Sequence, residues 1–279
     1  MRGIVTMLKM FNKIALVSLW FWVTMGAVLA QQLRRVDSYP SGKTAIIVCP
    51  GGSYSWLDKE TEGHAVARWL QSQGYSAYVL RYRVQGGFAF ASGYRYLLRG
   101  HQYPDPQDDL QETILWLRAH ADSLGIDPHR IGVIGFSAGG HLSVSAGALF
   151  DKEVRPNFVA AVYPVVSFRQ KPFVHKRSRR ALLGEYRKWS QSWRDSLSLE
   201  THIPKDMPPT FVVNCKDDPI VHYHNSELLD SALTAQGISH RYFQYEKGGH
   251  GFGCDTIKAG PEAIAWKQEF LNWLNHEHF

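Results

Sequence analysis

Residues 133–141 have the sequence VIGFSAGGH, and this stretch decides the fold. Ser137 directly follows an apolar run and has Gly135, Gly139 and Gly140 close to it. Glycines at this spacing let a strand turn sharply into a helix, because Cβ atoms there would collide with the neighbouring elements. The pattern predicts that Ser137 lies at the tip of a tight turn from strand to helix, in a strained conformation that presents its hydroxyl group.

Apolar runs similar to the one before Ser137 recur along the chain. They are rich in β-branched and aromatic residues, and most lack the polar alternation of a strand that faces water. Amphipathic segments separate them. This order predicts an α/β fold, a mostly parallel sheet flanked by helices with ligands at the carboxyl ends of the strands. The predicted strands are AIIVC (45–49), AYVLRY (77–82), IGVIGF (131–136), FVAAVYP (158–164), TFVVNC (210–215) and RYFQYE (241–246).

Helical spacing and capping glycines indicate the helices between these strands. One predicted helix ends at Gly74, and another continues without a break until Gly125. Two more cover 225–237 and 261–274. The apolar positions of the second helix are Leu110, Ile114, Leu117, Ala121 and Leu124.

The composition is that of a globular protein, with 279 residues of which 44% are hydrophobic and 20% charged. No repeat or low-complexity linker divides residues 31–279, so we expect one catalytic domain there. Residues 83–105 and 166–206 are long for connections, and such stretches often form lids or binding walls. We therefore expect lid-like insertions at both places.

Residues 1–30 have a different character. Three cations, Arg2, Lys9 and Lys13, precede an apolar segment, IALVSLWFWVTMGAVLA (14–30), which ends in small residues. This pattern predicts a cleavable signal peptide cut after Ala30, and therefore a secreted or periplasmic protein without a membrane contact after cleavage. An uncleaved membrane anchor is the alternative, although the segment is short for a span.

The remaining chain is only mildly basic. The whole sequence has a formal charge of +6, and without the three cations of residues 1–30 it has +3. The one dense basic cluster, KRSRR (176–180), is interpreted as a solvated face or loop, so no nucleic-acid partner is expected. Of the three cysteines, Cys49 is expected to be a small buried hydrophobe, whereas Cys215 and Cys254 either form a disulfide or stay free.

A serine hydroxyl needs a base to act as a nucleophile, and the base needs a partner that fixes its tautomer. KDDPIVHYHNS follows the strand TFVVNC, and KGGHGFG follows the strand RYFQYE. The order predicts a catalytic set of Ser137, Asp218 and His250, with Asp217 as the alternative acid. Because DDP is also strong turn chemistry, one of the two aspartates is expected to serve only the turn.

Backbone N–H groups beside Ser137 are the candidate oxyanion donors. Ala138 begins the predicted helix after the turn, and Gly52 and Ser53 belong to PGGSY (50–54), which follows the first buried strand. A plain turn is the alternative for PGGSY. HYH (222–224) and HEH (276–278) lack carboxylates or cysteines at ligand spacing, so neither a metal nor a cofactor is expected.

From about residue 43 onward the chain resembles an α/β-hydrolase, and within it the branch of exported bacterial acetylesterases and bifunctional acetylxylan/feruloyl esterase-like proteins. The resemblance rests on five segments, and the DxxV pattern of the family selects Asp218 as the acid. Ser53 stands where many relatives have a third glycine. The segments are GIDPHRIGV (125–133), GFSAGGHL (135–142), VHKRSRRALLGEY (174–186), PPTFVVNCKDDPIVHYHNS (208–226) and YEKGGHGFG (245–253).

The resemblance implies a serine esterase that removes small acyl groups, acetyl first, from plant-type polysaccharides or their oligosaccharides. The alternatives are a general carboxylesterase of small esters, an exported serine peptidase and an inactive glycan-binding scaffold. Aromatic residues of the insertions are candidates for stacking on sugar rings, although packing is the expected role of most of them. They include Phe88, Phe90, Tyr94, Tyr96, Phe173, Trp189 and Trp193.

Overall fold

Seven strands form one sheet in the part of the chain that the computed structural model describes, residues 35–86 and 99–279. Ser38–Phe279 forms one compact unit, which contains the residues of the candidate site. The strands are Val36–Tyr39 (β1), Ala45–Cys49 (β2), Ser76–Leu80 (β3), Ile131–Phe136 (β4), Phe158–Val162 (β5), Thr210–Cys215 (β6) and His240–Tyr245 (β7). Their spatial order is β1-β3-β2-β4-β5-β6-β7.

The ladders that join β2 through β7 are parallel, as the sequence predicts. The register pairs Cys49 with Gly135 and Phe136 with Val162, and it pairs Val162 in turn with Val213. Four central strands therefore end at the same edge of the sheet, so the loops that follow them meet there.

Helices cover both faces of the sheet. Along β5, Phe158 and Ala160 belong to one buried cluster, whereas Val159 and Ala161 belong to another, because successive side chains of a strand point to opposite faces. The helices are Ala65–Ser72 (α1), Asp105–Ala119 (α2), Ala121–Leu124 (α3), Ala138–Leu149 (α4), Lys176–Arg187 (α5), Gln191–Ser196 (α6), His224–Gln236 (α7), Thr256–Ala263 (α8) and Trp266–His276 (α9).

Three elements differ from the sequence-based expectations. The helix expected to continue to Gly125 breaks at His120, whose ring nitrogen lies 2.8 Å from the carbonyl of Trp116. The helix expected over 261–274 divides between Ala263 and Trp266, where backbone bonds tighten to i→i−3 spacing. Strand β1 was not predicted, because VDSY is short and half polar.

Some expectations fall on residues outside the described part of the chain. They include the signal peptide at 1–30 and most of the insertion at 83–105, with Phe88, Phe90, Tyr94 and Tyr96. The insertion at 166–206 is described and contains α5 and α6. No helix within residues 35–86 and 99–279 has both the length and the apolar character needed to cross a bilayer.

Candidate active site

Ser137 occupies the sharp turn between β4 and α4. Its φ is 54° and its ψ is −116°, a backbone conformation that residues other than glycine rarely adopt. The turn is fixed on both sides, because the Ser137 N–H donates to the carbonyl of Val162 and the Ser137 carbonyl accepts from the N–H groups of His141 and Val165. Such locked strain is typical of functional residues.

The glycines around Ser137 permit close approach between elements. A Cβ atom on Gly135 would lie 1.9 Å from the carbonyl oxygen of Gly139, and one on Gly139 would lie 2.0 Å from that of Cys49. Any side chain at these positions would push α4 away from β2 and β4. The glycine spacing in the sequence is therefore a direct consequence of how the turn packs.

His250 lies between Ser137 and Asp218. Its Nε2 is 2.9 Å from the Ser137 Oγ, and its Nδ1 is 2.6 Å from the Asp218 Oδ2. Because a carboxylate only accepts, the proton of the neutral ring belongs on Nδ1, which leaves Nε2 to accept from the serine hydroxyl. The three side chains form one hydrogen-bonded series although their residues are far apart in the chain.

The two neighbouring aspartates occupy different positions. The Asp218 side chain is 1% exposed, and its second oxygen accepts from the N–H groups of Ile220 and Val221, which fixes the carboxylate beside the imidazole. Asp217 instead accepts from the Gly249 N–H at 2.9 Å. It therefore holds the histidine loop, which we define as residues 246–255.

The loop after β2, residues 50–56, lies against Ser137, and we call it the oxyanion loop. A Cβ on Gly51 would come within 3.0 Å of the Ser137 Cβ, and Ser53 has a positive φ of 59°. The turn and cap hydrogen bonds of the described chain use the carbonyl of Gly52 but not the N–H groups of Gly52, Ser53 or Ala138. These amides beside the serine are therefore available to an oxygen of a bound molecule.

Two buried polar side chains that the sequence did not single out lie behind this site. Glu62 belongs to a π-helical turn, Glu60–His64, and accepts from the Gly51 N–H and the Tyr163 hydroxyl, both at 2.7 Å. The Tyr163 ring packs against His250 with 4.5 Å between centroids. Burial raises the pKa of the Glu62 carboxyl, an effect that its hydrogen bonds and the charge of His250 oppose.

His141 connects the helix after Ser137 to two loops. It is fully buried, its Nδ1 lies 2.9 Å from the Tyr54 hydroxyl, and its Nε2 lies 3.0 Å from the Leu197 carbonyl. Because that carbonyl can only accept, Nε2 carries the proton of the neutral ring. Burial lowers the pKa of His141 to about 4, so this histidine is a neutral structural link between the oxyanion loop and the insertion at 166–206.

The remaining candidates from the sequence have other environments. Within the described residues no group of three or more His, Cys, Asp or Glu side chains is arranged to hold a metal. His222 and His224 pack on the Phe173 ring. Cys215 and Cys254 are free, so the disulfide that the sequence left open is absent, and Cys49 is buried as expected.

The described aromatic residues of the insertions pack within the protein or face solvent. Trp193 packs on Tyr103 and under the guanidinium of Arg187. Trp189 is 69% exposed, and the ammonium of Lys188 lies over its ring. Tyr186, which is 64% exposed, also presents a large ring surface to solvent.

The similarity to known proteins extends over most of the chain. A curated acetylxylan esterase of Xylanibacter ruminicola is 31% identical over 250 residues, which cover 88% of this chain and 48% of the relative. The chain thus spans about half the length of that relative. The crystal structure of an acetyl ester-xyloside bifunctional hydrolase from Caldicellulosiruptor lactoaceticus matches with a TM-score of 0.75 and 31% identity, covering 88% of both chains.

A third match concerns the fold alone. MGS-M1, an α/β hydrolase from a Medee basin deep-sea metagenome library, superposes with a TM-score of 0.65 at 23% identity over 84% of each chain. The parallel sheet, the helices on both faces and the position of Ser137 agree with that fold, as the sequence predicts. The BD-FAE family model matches residues 41–233, and this chain therefore belongs to the BD-FAE family of α/β hydrolases.

Proposed function

We propose that the protein is a serine carboxylic-ester hydrolase that removes small acyl groups, acetyl first, from plant-type polysaccharides or their oligosaccharides. The observation that carries the proposal is the hydrogen-bonded series of Ser137, His250 and Asp218 at 2.9 and 2.6 Å. A strained serine, an imidazole and a buried carboxylate in this order are the elements of nucleophilic acyl transfer. Neither a metal nor a cofactor is needed for this chemistry.

In the first half of the reaction, His250 Nε2 takes the hydroxyl proton of Ser137 while the serine oxygen attacks the ester carbonyl carbon. Asp218 holds the ring and stabilises the imidazolium that forms. The N–H groups of Gly52, Ser53 and Ala138 donate to the oxyanion. The imidazolium then returns the proton to the departing alcohol, which leaves an acetylated serine.

In the second half, His250 takes a proton from water, and the resulting hydroxide attacks the carbonyl of the acyl-enzyme. The tetrahedral intermediate collapses, the proton returns to the oxygen of Ser137, and acetate leaves. The same three amides stabilise this oxyanion, and each such donor typically contributes about 3 kcal/mol to lowering the barrier.

The choice of substrate is supported by the relatives. One is named an acetylxylan esterase, and another is an acetyl ester-xyloside hydrolase with 31% identity and matched length. Polymers of this kind are encountered outside the cell. The apolar stretch and flanking cations of residues 1–30 support export to the periplasm or medium, and sequencing the N-terminus of the exported protein tests cleavage after Ala30.

The proposal is tested by acetate release from acetylated xylan, compared with aryl esters of longer acids and with feruloyl esters. Acetate release at the highest kcat/KM supports it, whereas a preference for longer aryl esters favours a general carboxylesterase. Ser137→Ala is expected to lower kcat roughly 10,000-fold or more with an unchanged circular dichroism spectrum. Tight glycan binding without turnover by the native protein would favour a binding scaffold instead.

A further inference from the structure

Glu62 joins the two loops that carry the proposed chemistry. Its Oε2 accepts from the Gly51 N–H of the oxyanion loop. Its Oε1 accepts from the Tyr163 hydroxyl, whose oxygen in turn accepts from the Gly253 N–H at 3.0 Å in the histidine loop. The Glu62 carboxyl group therefore binds the oxyanion loop directly and the histidine loop through the Tyr163 hydroxyl.

The contacts of Glu62 are those of an ionised carboxylate. The Gly51 N–H and the Tyr163 hydroxyl both donate to it. The Tyr163 oxygen accepts from the Gly253 N–H, so its one hydroxyl proton is the proton that it donates to Glu62. Glu62 is buried, with 3% of its surface exposed. Within residues 35–86 and 99–279, no lysine or arginine forms an ion pair with it, although a buried charge ordinarily needs a partner.

A positive charge that compensates the Glu62 carboxylate forms on His250 during the reaction. The ring of Tyr163 stands between Glu62 and the imidazole, and the charge of His250 acts on Glu62 directly enough to favour its ionised form. When His250 accepts the serine proton, an imidazolium appears beside this carboxylate. Glu62 is then better compensated in the transition state than in the resting enzyme, which is the condition for lowering a barrier.

Other charged groups face the same pair. Asp58 lies close enough to raise the pKa of Glu62. Asp218 binds His250 directly, and His175 stands near both of them, where burial and the charge of His250 lower its pKa to about 4. His175 is therefore neutral at the pH of an ester assay. Arg177, whose charge also lowers the pKa of His175, and Asp217, which accepts from the Gly249 N–H, are further charged groups near the imidazole.

We propose that Glu62 is a positioning residue of the esterase: its buried carboxylate ties the oxyanion loop to the histidine loop through Tyr163 and stabilises the imidazolium of His250 as it forms. The inference rests on the proposed function, because it concerns the same serine, histidine and amides. It adds a second carboxylate to the site, with a task distinct from the direct contact that Asp218 makes.

The test is steady-state kinetics of Glu62→Gln on an aryl acetate across pH. In glutamine one of the two carboxylate oxygens becomes an NH2 group, which donates and cannot accept, so one of the two loop contacts is lost. Losing a hydrogen bond to a charged group corresponds to roughly a tenfold to hundredfold lower kcat. Removing the negative charge makes the imidazolium less stable, so the acid limb of kcat/KM moves to lower pH. The unfolding temperature is expected to stay the same or rise, because an unpaired buried charge is removed.

Three further variants separate charge from shape. Glu62→Asp keeps the charge but is too short for both partners, so kcat falls while the acid limb stays in place. Glu200→Gln is the matched control, because Glu200 is a largely buried carboxyl that accepts from the Ser167 hydroxyl at 2.7 Å outside the site, and its activity and pH profile should not change. If Glu62→Gln does not fold, Tyr163→Phe keeps the ring and is expected to lower kcat roughly tenfold.

The outcomes separate this inference from the proposed function. Wild-type kcat and an unmoved acid limb in Glu62→Gln overturn the inference, as does a loss of activity that only follows a lower unfolding temperature. Full kcat in Tyr163→Phe also overturns it. If the native protein hydrolyses no ester, or Ser137→Ala remains fully active, the proposed function fails instead.

Discussion

Asp217 and Asp218 are adjacent in the chain but have different hydrogen-bond partners. Asp218 contacts His250, whereas Asp217 accepts from the Gly249 backbone. We expect Asp218→Asn to lower kcat roughly 1,000-fold to 10,000-fold, because an amide cannot hold the required tautomer of the imidazole. Asp217→Asn should cost roughly tenfold or less, since it weakens one loop contact. Steady-state kinetics on an aryl acetate measures both.

These two variants are controls for each other, because they remove one negative charge each from neighbouring positions. Both should have wild-type circular dichroism spectra. A larger loss in Asp217→Asn than in Asp218→Asn would show that the acid has been assigned to the wrong aspartate.

The proposed catalytic residues could be selected from the sequence because each follows a strand and lies beside a turn signal. Ser137 has its glycines, Asp218 precedes a proline, and His250 lies in a glycine-rich loop. Glu62 and Tyr163 have no such signal, since a single carboxylate in a helical segment and an aromatic residue at a strand end are common. Their importance depends on three loops meeting, which only the fold shows.

At the scale of the elements, Gly139 sets the distance between α4 and β2. A Cβ there would lie 2.0 Å from the Cys49 carbonyl, and backbone cannot move aside cheaply. Gly139→Ala is expected to destabilise the protein by roughly 1–3 kcal/mol and to displace the Ser137 turn, with a loss of kcat. Thermal unfolding and ester hydrolysis together measure this effect.

Gly147→Ala is the matched control on the same helix. A Cβ at Gly147 would meet the end of the flexible Met207 side chain and a methyl group of Val159 at 3.0 Å, so small movements accommodate it. Alanine also favours the helix by about 1 kcal/mol relative to glycine, so stability should change little. Equal destabilisation by the two substitutions would argue against the helix-to-strand contact as the special constraint.

The elements that could be predicted are the strands that consist of an uninterrupted run of mostly apolar residues. The bounds of β2, β4 and β6 match the predicted strands, because each is buried on both faces. The break at His120 could not be predicted, because apolar spacing continues across it while the backbone leaves the helical region at φ −112° and ψ 15°. The spacing of apolar residues indicates which face of a helix is buried, but it does not indicate where the backbone hydrogen bonds of the helix end.

At the scale of the whole molecule, the buried histidine His141 makes stability depend on pH. The folded protein protonates His141 only near pH 4, whereas the unfolded chain does so near 6.5, so the unfolded state binds more protons between these values. The free energy of unfolding therefore falls as pH decreases from 6.5 to 4, by about 3 kcal/mol from this residue. Below pH 4 this contribution stops changing.

Urea unfolding of the native protein and of His141→Gln at several pH values measures the effect. Glutamine can accept from the Tyr54 hydroxyl and donate to the Leu197 carbonyl without titrating. The variant is expected to lose less stability than the native protein between pH 6.5 and 4. Identical slopes for the two proteins would show that His141 is not responsible for acid sensitivity.

The architecture as a whole could be predicted because strand order in the sequence and parallel pairing leave few arrangements. The insertions could not be predicted beyond their position. Residues 166–206 make contacts distant in sequence. The Asn225 side chain accepts from the N–H groups of Val166 and Ser167, and the Tyr103 N–H donates to the carbonyl of Leu182 in α5. Whether this segment acts as a lid stays a prediction.

Acylation of Ser137 is the step on which the proposed reaction depends. The most direct measurement is rapid quenching of the protein with an aryl acetate, followed by peptide mass spectrometry, in the native protein and in His250→Ala. We expect one acetyl group on the peptide that contains Ser137 in the native protein, and far slower acetylation when the base is removed. Turnover with the acetyl group on another residue, or unchanged turnover in Ser137→Ala, would contradict the proposed role of this serine.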